Sequence, residues 1–262
     1  VTVVMRGDDH MTNTPRQILI LEALNLPLPR YAHVALLLGM DGAPLSKRHG
    51  AVSLQDLRKR GYLPAAVRNH LVRLGHSPTM DGWLDAATMR DDFDLSRLGR
   101  AAAKFDEGQL RHWQREAVTH LSSTEFREWI AAELPPGLDA RRIETFESAV
   151  RRNVEFPADA KFWSEVVFGK LPEPGEEALK TIRDAGESFF AAAAETFARG
   201  TGEQAVVREL SERTGRKGPA LFMPLRAALT GALHGPELAP LLALIPADEV
   251  RARLERARRL AT

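Results

Sequence analysis

The first forty residues constrain the chain most. Val1-Thr2-Val3-Val4-Met5 is β-branched and apolar, and Ala32 to Leu38 is a second apolar run. Between them one helical segment opens at Asn13-Thr14-Pro15, a polar cap with proline in the first turn. Ile18, Leu19, Ala23 and Leu24 give it an apolar face, and Pro27 and Pro29 end it. Strand, helix, strand is the unit of a parallel sheet, and runs this apolar read as strands buried on both faces. A chain that starts inside such a strand reads as the remainder of a longer one. Arg6-Gly7-Asp8-Asp9-His10 falls at the carboxyl end of the first strand, the edge where open α/β sheets bind ligands. Arg6 suits a bidentate grip on a carboxylate. Asp8 and Asp9 suit a hydroxyl, an amine or a metal ion. A solvated turn accounts for the same charges without a ligand.

The second run feeds into Gly39-Met40-Asp41-Gly42-Ala43-Pro44-Leu45-Ser46-Lys47-Arg48-His49-Gly50. Asp41-Gly42 marks a tight turn. Ser46, Lys47 and Arg48 put a hydroxyl and two cations on a loop between regular elements, which fits an anionic ligand such as a polyphosphate and equally an exposed basic turn. After this loop no strand is expected. Ser53 with Asp56, and Ser122 with Glu125, have the spacing of capping boxes. Pro64 opens a helix that Gly75 closes, 94–98 reads as a short helical piece, and Asp106 to His120 carries apolar residues at helical spacing. Pro135-Pro136-Gly137 breaks the pattern. Further helices are expected at 139–152, 159–168, 175–198, 202–214, 219–232, 236–244 and 246–260. No fixed-period repeat runs through them.

The formal net charge of +1 means that a nucleic-acid surface must come from local clustering of cations. Two clusters exist. Arg213, Arg216, Lys217 and Arg226 surround Gly215 and Gly218. Arg251, Arg253, Arg256, Arg258 and Arg259 lie on the last helix, where Asp248, Glu249 and Glu255 offset much of the charge and favour a solvated face. The tryptophans Trp83, Trp113, Trp129 and Trp163 read as core. The chain has no cysteine, which excludes disulfides and thiolate zinc sites and fits a reducing cytoplasm. No apolar run has membrane-spanning length, and no signal peptide is visible.

Pro44-Leu45-Ser46-Lys47-Arg48 resembles the KMSKS signature of class I aminoacyl-tRNA synthetases. The wider run Leu45 to Gly50 resembles the form of that loop in bacterial glutamyl-tRNA synthetases. Val4-Met5-Arg6-Gly7-Asp8-Asp9-His10 and Asn13-Thr14-Pro15-Arg16-Gln17 are similar to that family's segment before the loop. Gly61-Tyr62-Leu63-Pro64 and Leu74-Gly75-His76 are similar to the segment after it. Leu221 to Gly231 resembles its helical anticodon-binding region.

The resemblance implies α/β architecture followed by all-α: the end of a Rossmann-type catalytic domain at 1–50, a stem-contact helical domain at 51–118 and a helical anticodon-binding domain at 119–262. It implies ATP-dependent attachment of glutamate to tRNA(Glu) through a glutamyl adenylate, by a cytoplasmic monomer with magnesium accompanying ATP and no metal held by the protein. Lys47 matches the lysine that contacts ATP phosphates in the transition state, with Ser46 and Arg48 beside it as catalytic neighbours. Leu37 matches a position whose backbone meets adenine. Arg6 matches an arginine that binds glutamate. Asp9 and His10 match positions lining the ATP and amino-acid pocket. Arg226, Arg216, Lys217 and Pro236 are the candidates for contact with tRNA.

Two departures stand out. Pro44 replaces the first lysine of the signature, which removes one cation and stiffens the loop. Nothing in the sequence matches the second ATP signature, HIGH, so the chain alone is expected not to activate glutamate. The alternative is a tRNA-binding chain without catalysis. A glutamylated-queuosine synthetase relative is disfavoured because residues 120–262 resemble an anticodon region. Glutaminyl-tRNA synthetase is disfavoured because its anticodon part is a β-barrel.

Overall fold

A computed structural model describes residues 1–43, 45, 53–199 and 203–262. They form two compact units, Val1–His120 and Leu121–Thr262.

In the first unit, strands β1 (Val3–Gly7) and β2 (Arg30–Val34) pair in parallel, with Val3 opposite Arg30 and Gly7 opposite Val34. A 3-10 stretch, Asp8–Asn13, and helix α1 (Thr14–Ala23) make the crossover. The expected burial of β1 is not observed. Val1 is fully exposed, and Val3 and Met5 are each 45% exposed. Among the described residues β1 has a single strand neighbour, so one edge and much of its apolar surface lack cover.

The run expected as one strand from Ala32 to Leu38 is broken. β2 ends at Val34, and β3 (Leu37–Leu38) belongs to a different two-stranded sheet. Its parallel partner is β4 (Ala103–Lys104), in a stretch where no strand was expected. Two residues are too few to leave an alternating pattern in a sequence. The piece at 94–98 is a 3-10 turn over Leu95–Arg97.

Helices α2 (Leu54–Lys59), α3 (Pro64–Leu74), α4 (Ala86–Asp92) and α5 (Glu107–His120) complete this unit. The Ser53 capping box forms: its hydroxyl accepts from the Asp56 amide at 3.1 Å, and its own amide donates to Asp56 Oδ2 at 3.2 Å. Between α3 and α5, Ala66, Trp113 and Ala117 are buried together. Two buried amides tie loops to this core. Asn69 accepts from the Leu84 amide at 3.0 Å and donates to the Leu84 carbonyl at 2.9 Å, while Gln114 accepts from the Leu63 amide at 2.9 Å. Each replaces a backbone partner that the loop lacks.

The second unit is helical: α6 (Ser123–Ile130), α7 (Ala140–Val150), α8 (Pro157–Phe168), α9 (Glu176–Ala185), α10 (Glu187–Ala198), α11 (Glu203–Thr214), α12 (Pro219–Thr230), α13 (Leu238–Leu242) and α14 (Ala247–Leu260). Ser122 and Glu125 form the second capping box. The single helix expected over 175–198 is two, α9 and α10, divided at Gly186, whose φ of 81° is left-handed. α14 lies against α10 and α12. Phe190 and Leu254 are fully buried, with Val250 and Ala257 beside Leu254 on the inner face of α14.

The last helix corrects one expectation. Arg253 is not on a solvated face; its side chain is 2% exposed. Its Nε donates to Glu249 at 2.8 Å, and its NH1 donates to the Leu229 carbonyl at 2.8 Å, at the end of α12. A helix C-terminus carries orphan carbonyls and partial negative charge, and a guanidinium satisfies both. Trp113 and Trp163 are buried as expected, while Trp83 and Trp129 are half-buried.

Leu254→Ala is expected to cost about 2–5 kcal/mol in urea unfolding, the usual price of emptying a packed leucine site. Arg259→Ala, on the outer face, should stay within about 0.5 kcal/mol.

Glu107 gives a pH prediction. The hydrogen bond from Arg60, with Tyr62 adding another, holds its carboxyl below the usual glutamate range. A depressed folded pKa contributes stability above the unfolded pKa that is lost as pH falls through the folded value. Wild type should therefore lose more stability than Glu107→Gln between pH 7 and about pH 3, measured as urea midpoints at each pH.

Candidate functional site

The carboxyl end of β1 carries the first group of candidates. Arg6 sits opposite His33 across the parallel pair. Its NH2 donates to Thr14 Oγ1 at 2.7 Å, and its guanidinium lies over the Tyr31 ring at 5.5 Å. Thr14 Oγ1 also meets His33 Nε2 at 2.8 Å and the His10 carbonyl at 3.3 Å. Thr14 is 8% exposed, so this hydroxyl is a buried junction of Arg6, His33 and the backbone of His10. Arg6 Nε is buried and has no hydrogen-bond partner among the described residues. A buried donor left unpaired costs free energy until an acceptor arrives.

Asp9 and His10 are exposed on the 3-10 stretch, with Asp9 Oδ2 3.8 Å from His10 Nε2. Gly7 makes their placement possible. A Cβ there would stand 2.8 Å from Leu36 Cδ2 and closer still to Asp9 Oδ1. Leu37 is half-buried on β3, and its carbonyl accepts from the Leu45 amide at 3.1 Å. The turn before the basic loop is closed by Gly39 and Ala43, amide to carbonyl at 2.8 Å, and by Asp41 Oδ1 accepting from the Ala43 amide at 3.0 Å. Ser46, Lys47 and Arg48, with Pro44, lie outside the described residues.

Three of the four RNA candidates carry architectural bonds. Arg226 NH1 donates to the Pro236 carbonyl at 2.6 Å, so two candidates meet each other. Burial pushes the Arg226 guanidinium below its ordinary pKa. Pro236 itself is buried. Gly235 beside it has φ 144°, and a Cβ there would land on the Trp163 indole. Arg216 NH2 donates to the Ala185 carbonyl at 2.9 Å while its guanidinium lies 4.8 Å from the Phe189 ring centre. Lys217 is exposed, on a groove of about 570 Å³ that also holds Arg208 and the exposed Phe222.

A larger cleft of about 640 Å³ opens beside the Pro236 loop, lined by Arg151, Arg152 and Asn153 from the end of α7 and by Gly235, Glu237 and Pro240. Sequence reasoning missed these cations. The available signal was two adjacent arginines and an asparagine at the carboxyl end of an amphipathic helix. Among the described residues no group of three or more histidine, aspartate and glutamate side chains could hold a metal ion. No described helix is long and apolar enough to cross a membrane.

Residues 1–112 match the family model described as tRNA synthetases class I (E and Q), catalytic domain, and residues 124–258 match the anticodon binding domain. The chain belongs to the glutamyl-tRNA synthetase family of class I synthetases. Glutamate–tRNA ligase 2 of Nitrosococcus oceani is 49% identical over 97% of this chain and 54% of that protein. Glutamate–tRNA ligase 1 of Halorhodospira halophila is 48% identical over 100% of the chain and 54% of its own length. The chain thus spans about half the length of the curated relatives it matches. The crystal structure of a glutamate tRNA ligase from Elizabethkingia meningosepticum, in complex with its amino acid, has a TM-score of 0.82 at 22% identity, covering 100% of this chain and 58% of that one. At that identity the likeness shows the fold. The family's catalytic model covers the Arg6–Thr14–His33 junction, and its anticodon model covers the cleft at Arg152.

Gly235→Ala is expected to destabilise the second unit by about 1–3 kcal/mol, because the added methyl must displace Trp163 or the loop. Gly175→Ala, with open space around its Cβ position, is the matched control. Thermal unfolding of both variants checks the difference.

Proposed function

We propose that this chain forms part of an enzyme that joins glutamate to tRNA(Glu). In the proposed reaction the glutamate α-carboxylate attacks the α-phosphate of ATP, pyrophosphate leaves, and a terminal ribose hydroxyl of the tRNA then takes the glutamyl group from the adenylate, releasing AMP. Catalysis here is mostly positioning and charge neutralisation. Arg6 binds glutamate. Lys47, flanked by Ser46 and Arg48, neutralises charge on the phosphates as pyrophosphate departs. Asp9 and His10 line the same pocket, and the Leu37 backbone meets adenine. Magnesium enters with ATP. The anticodon-binding part meets tRNA through the Arg152 cleft and the exposed Lys217. The cysteine-free composition suits a reducing cytoplasm.

The observation that carries this reading is the order of the two family matches along one chain, catalytic before anticodon-binding, with the unpaired Arg6 donor inside the first. The HIGH half of the phosphate grip has no counterpart in the sequence, so this polypeptide by itself is inferred not to activate glutamate.

Filter binding and ATP–pyrophosphate exchange test both statements. The chain should bind tRNA(Glu) with an affinity that falls linearly in log salt, and Arg152→Ala should weaken it and lower the slope by about one. Glutamate-dependent exchange by the chain alone would overturn the inference of inactivity. A second reading, tRNA binding without catalysis, predicts that adding a polypeptide with the HIGH-bearing half leaves exchange at background. The proposed enzyme predicts that it appears.

A further inference from the structure

Thr14 and His33 have no role in the reaction proposed above. Thr14 ends the 3-10 stretch and begins α1, and His33 is the fourth of the five residues of β2. Their contacts concern Arg6. Thr14 Oγ1 accepts from Arg6 NH2 at 2.7 Å, and a hydroxyl has only one proton to give in return. Two acceptors stand within reach, His33 Nε2 at 2.8 Å and the His10 carbonyl at 3.3 Å. Given to the His10 carbonyl, the proton leaves His33 Nε2 to donate to Thr14; given to His33 over the shorter contact, it leaves the ring with its own hydrogen on Nδ1. In the second arrangement the chain of donors runs in one direction, from Arg6 through Thr14 to His33, and hydrogen bonds in such a chain strengthen one another.

The consequence falls on Arg6. Its long side chain has several rotamers, and a free guanidinium on a sheet edge would sample many of them. Here the Tyr31 ring lies beneath it and Thr14 holds one nitrogen, while Nε stays buried and unpaired. We propose that Thr14 and His33 are positioning residues that hold the Arg6 guanidinium so that its unpaired Nε–H edge meets the carboxylate of the amino-acid substrate. The inference rests on the reading of Arg6 as the glutamate-binding arginine. Thr14 sets the position, and His33 fixes the direction of the threonine proton.

Nitrogen-15 NMR on the full 262-residue chain tests the relay and the reading separately. The His33 ring should show Nε2 as acceptor, and Thr14→Val should abolish that signature. A His33 ring with its proton on Nε2 overturns the relay. Titration with L-glutamate should shift the Arg6 Nε–H signal. Thr14→Val and His33→Phe should weaken that response about tenfold, the usual scale for losing a hydrogen bond to a charged group, whereas Thr14→Ser should stay within about twofold. His33→Gln, which returns an acceptor near Nε2, should recover part of the loss. Circular dichroism melts confirm that each variant is folded. If glutamate shifts the Arg6 Nε–H signal equally well in wild type, Thr14→Val and His33→Phe, the positioning role is wrong and the reading of Arg6 stands. If glutamate leaves the Arg6 signal unmoved in wild type, the reading of Arg6 fails and the positioning role falls with it.

Discussion

Five parallel residue pairs, from Val3 opposite Arg30 to Gly7 opposite Val34, decide what the first unit can do. Side chains alternate along a strand, so a slip of one residue in β1 would turn Arg6 to the opposite face and bring Met5 or Gly7 to its place. The register puts Arg6 level with His33. The short crossover then returns Thr14 to the same spot, eight residues after Arg6 in sequence and 2.7 Å from it in space. Gly7 lets the chain turn there without a side chain striking Leu36 or Asp9. Strand pairing, a glycine and a helix start thus converge on one guanidinium.

The second unit uses arginine mainly as an architectural side chain. Arg253, Arg226 and Arg216 each end on a backbone carbonyl, of Leu229, Pro236 and Ala185. These carbonyls lie at or near the ends of α12 and α9 and in the α12–α13 loop, where the helix pattern leaves no amide to meet them. Arginine suits the task because its charge is spread over a planar fork and it desolvates more readily than an ammonium. Arg256 pairs with Glu173 and Arg258 with Glu187, tying α14 to residues before α9 and at the start of α10. A basic cluster in the sequence is therefore a poor guide to an RNA surface in this unit. Arg152 and Lys217, both exposed, stand beside clefts.

Much of the fold was legible because local rules hold along most of the chain. Both capping boxes form where their spacing placed them, and a proline start and a glycine stop bound α3, α8 and α12. What escaped notice depended on partners distant in sequence. β4 is two residues long and exists because Leu37–Leu38 offers it a ladder, and the break at Val34 follows from that change of sheet. Gly186 was read through as part of one helix because a single glycine inside an apolar periodic run resembles a tolerated residue until its φ is known. For the candidate site, Arg6 was legible from its place after a strand. Thr14 and His33 were not, because a threonine within a helix-start motif and a histidine in a strand look ordinary until the register joins them. Arg152 was hidden for a related reason: the loop opposite it comes from Gly235, far along the chain.

Leu37 links the two ends of the proposed chemistry. Its carbonyl is taken by the Leu45 amide, and the next carbonyl, of Leu38, accepts from Phe105 at 2.8 Å. The chain leaving β3 is thereby fixed on both sides before the segment that carries Lys47. Gly39 and Ala43 close the turn between them, and a Cβ on Gly39 would stand 2.7 Å from Asp41 Oδ1, the atom that holds the Ala43 amide. In the proposed reaction adenine is met at Leu37 and the phosphates at Lys47, ten residues apart on one strand-and-loop segment. Beside the proposed adenine position, the 39–43 turn and the Leu37–Leu45 bond fix the described end of that segment.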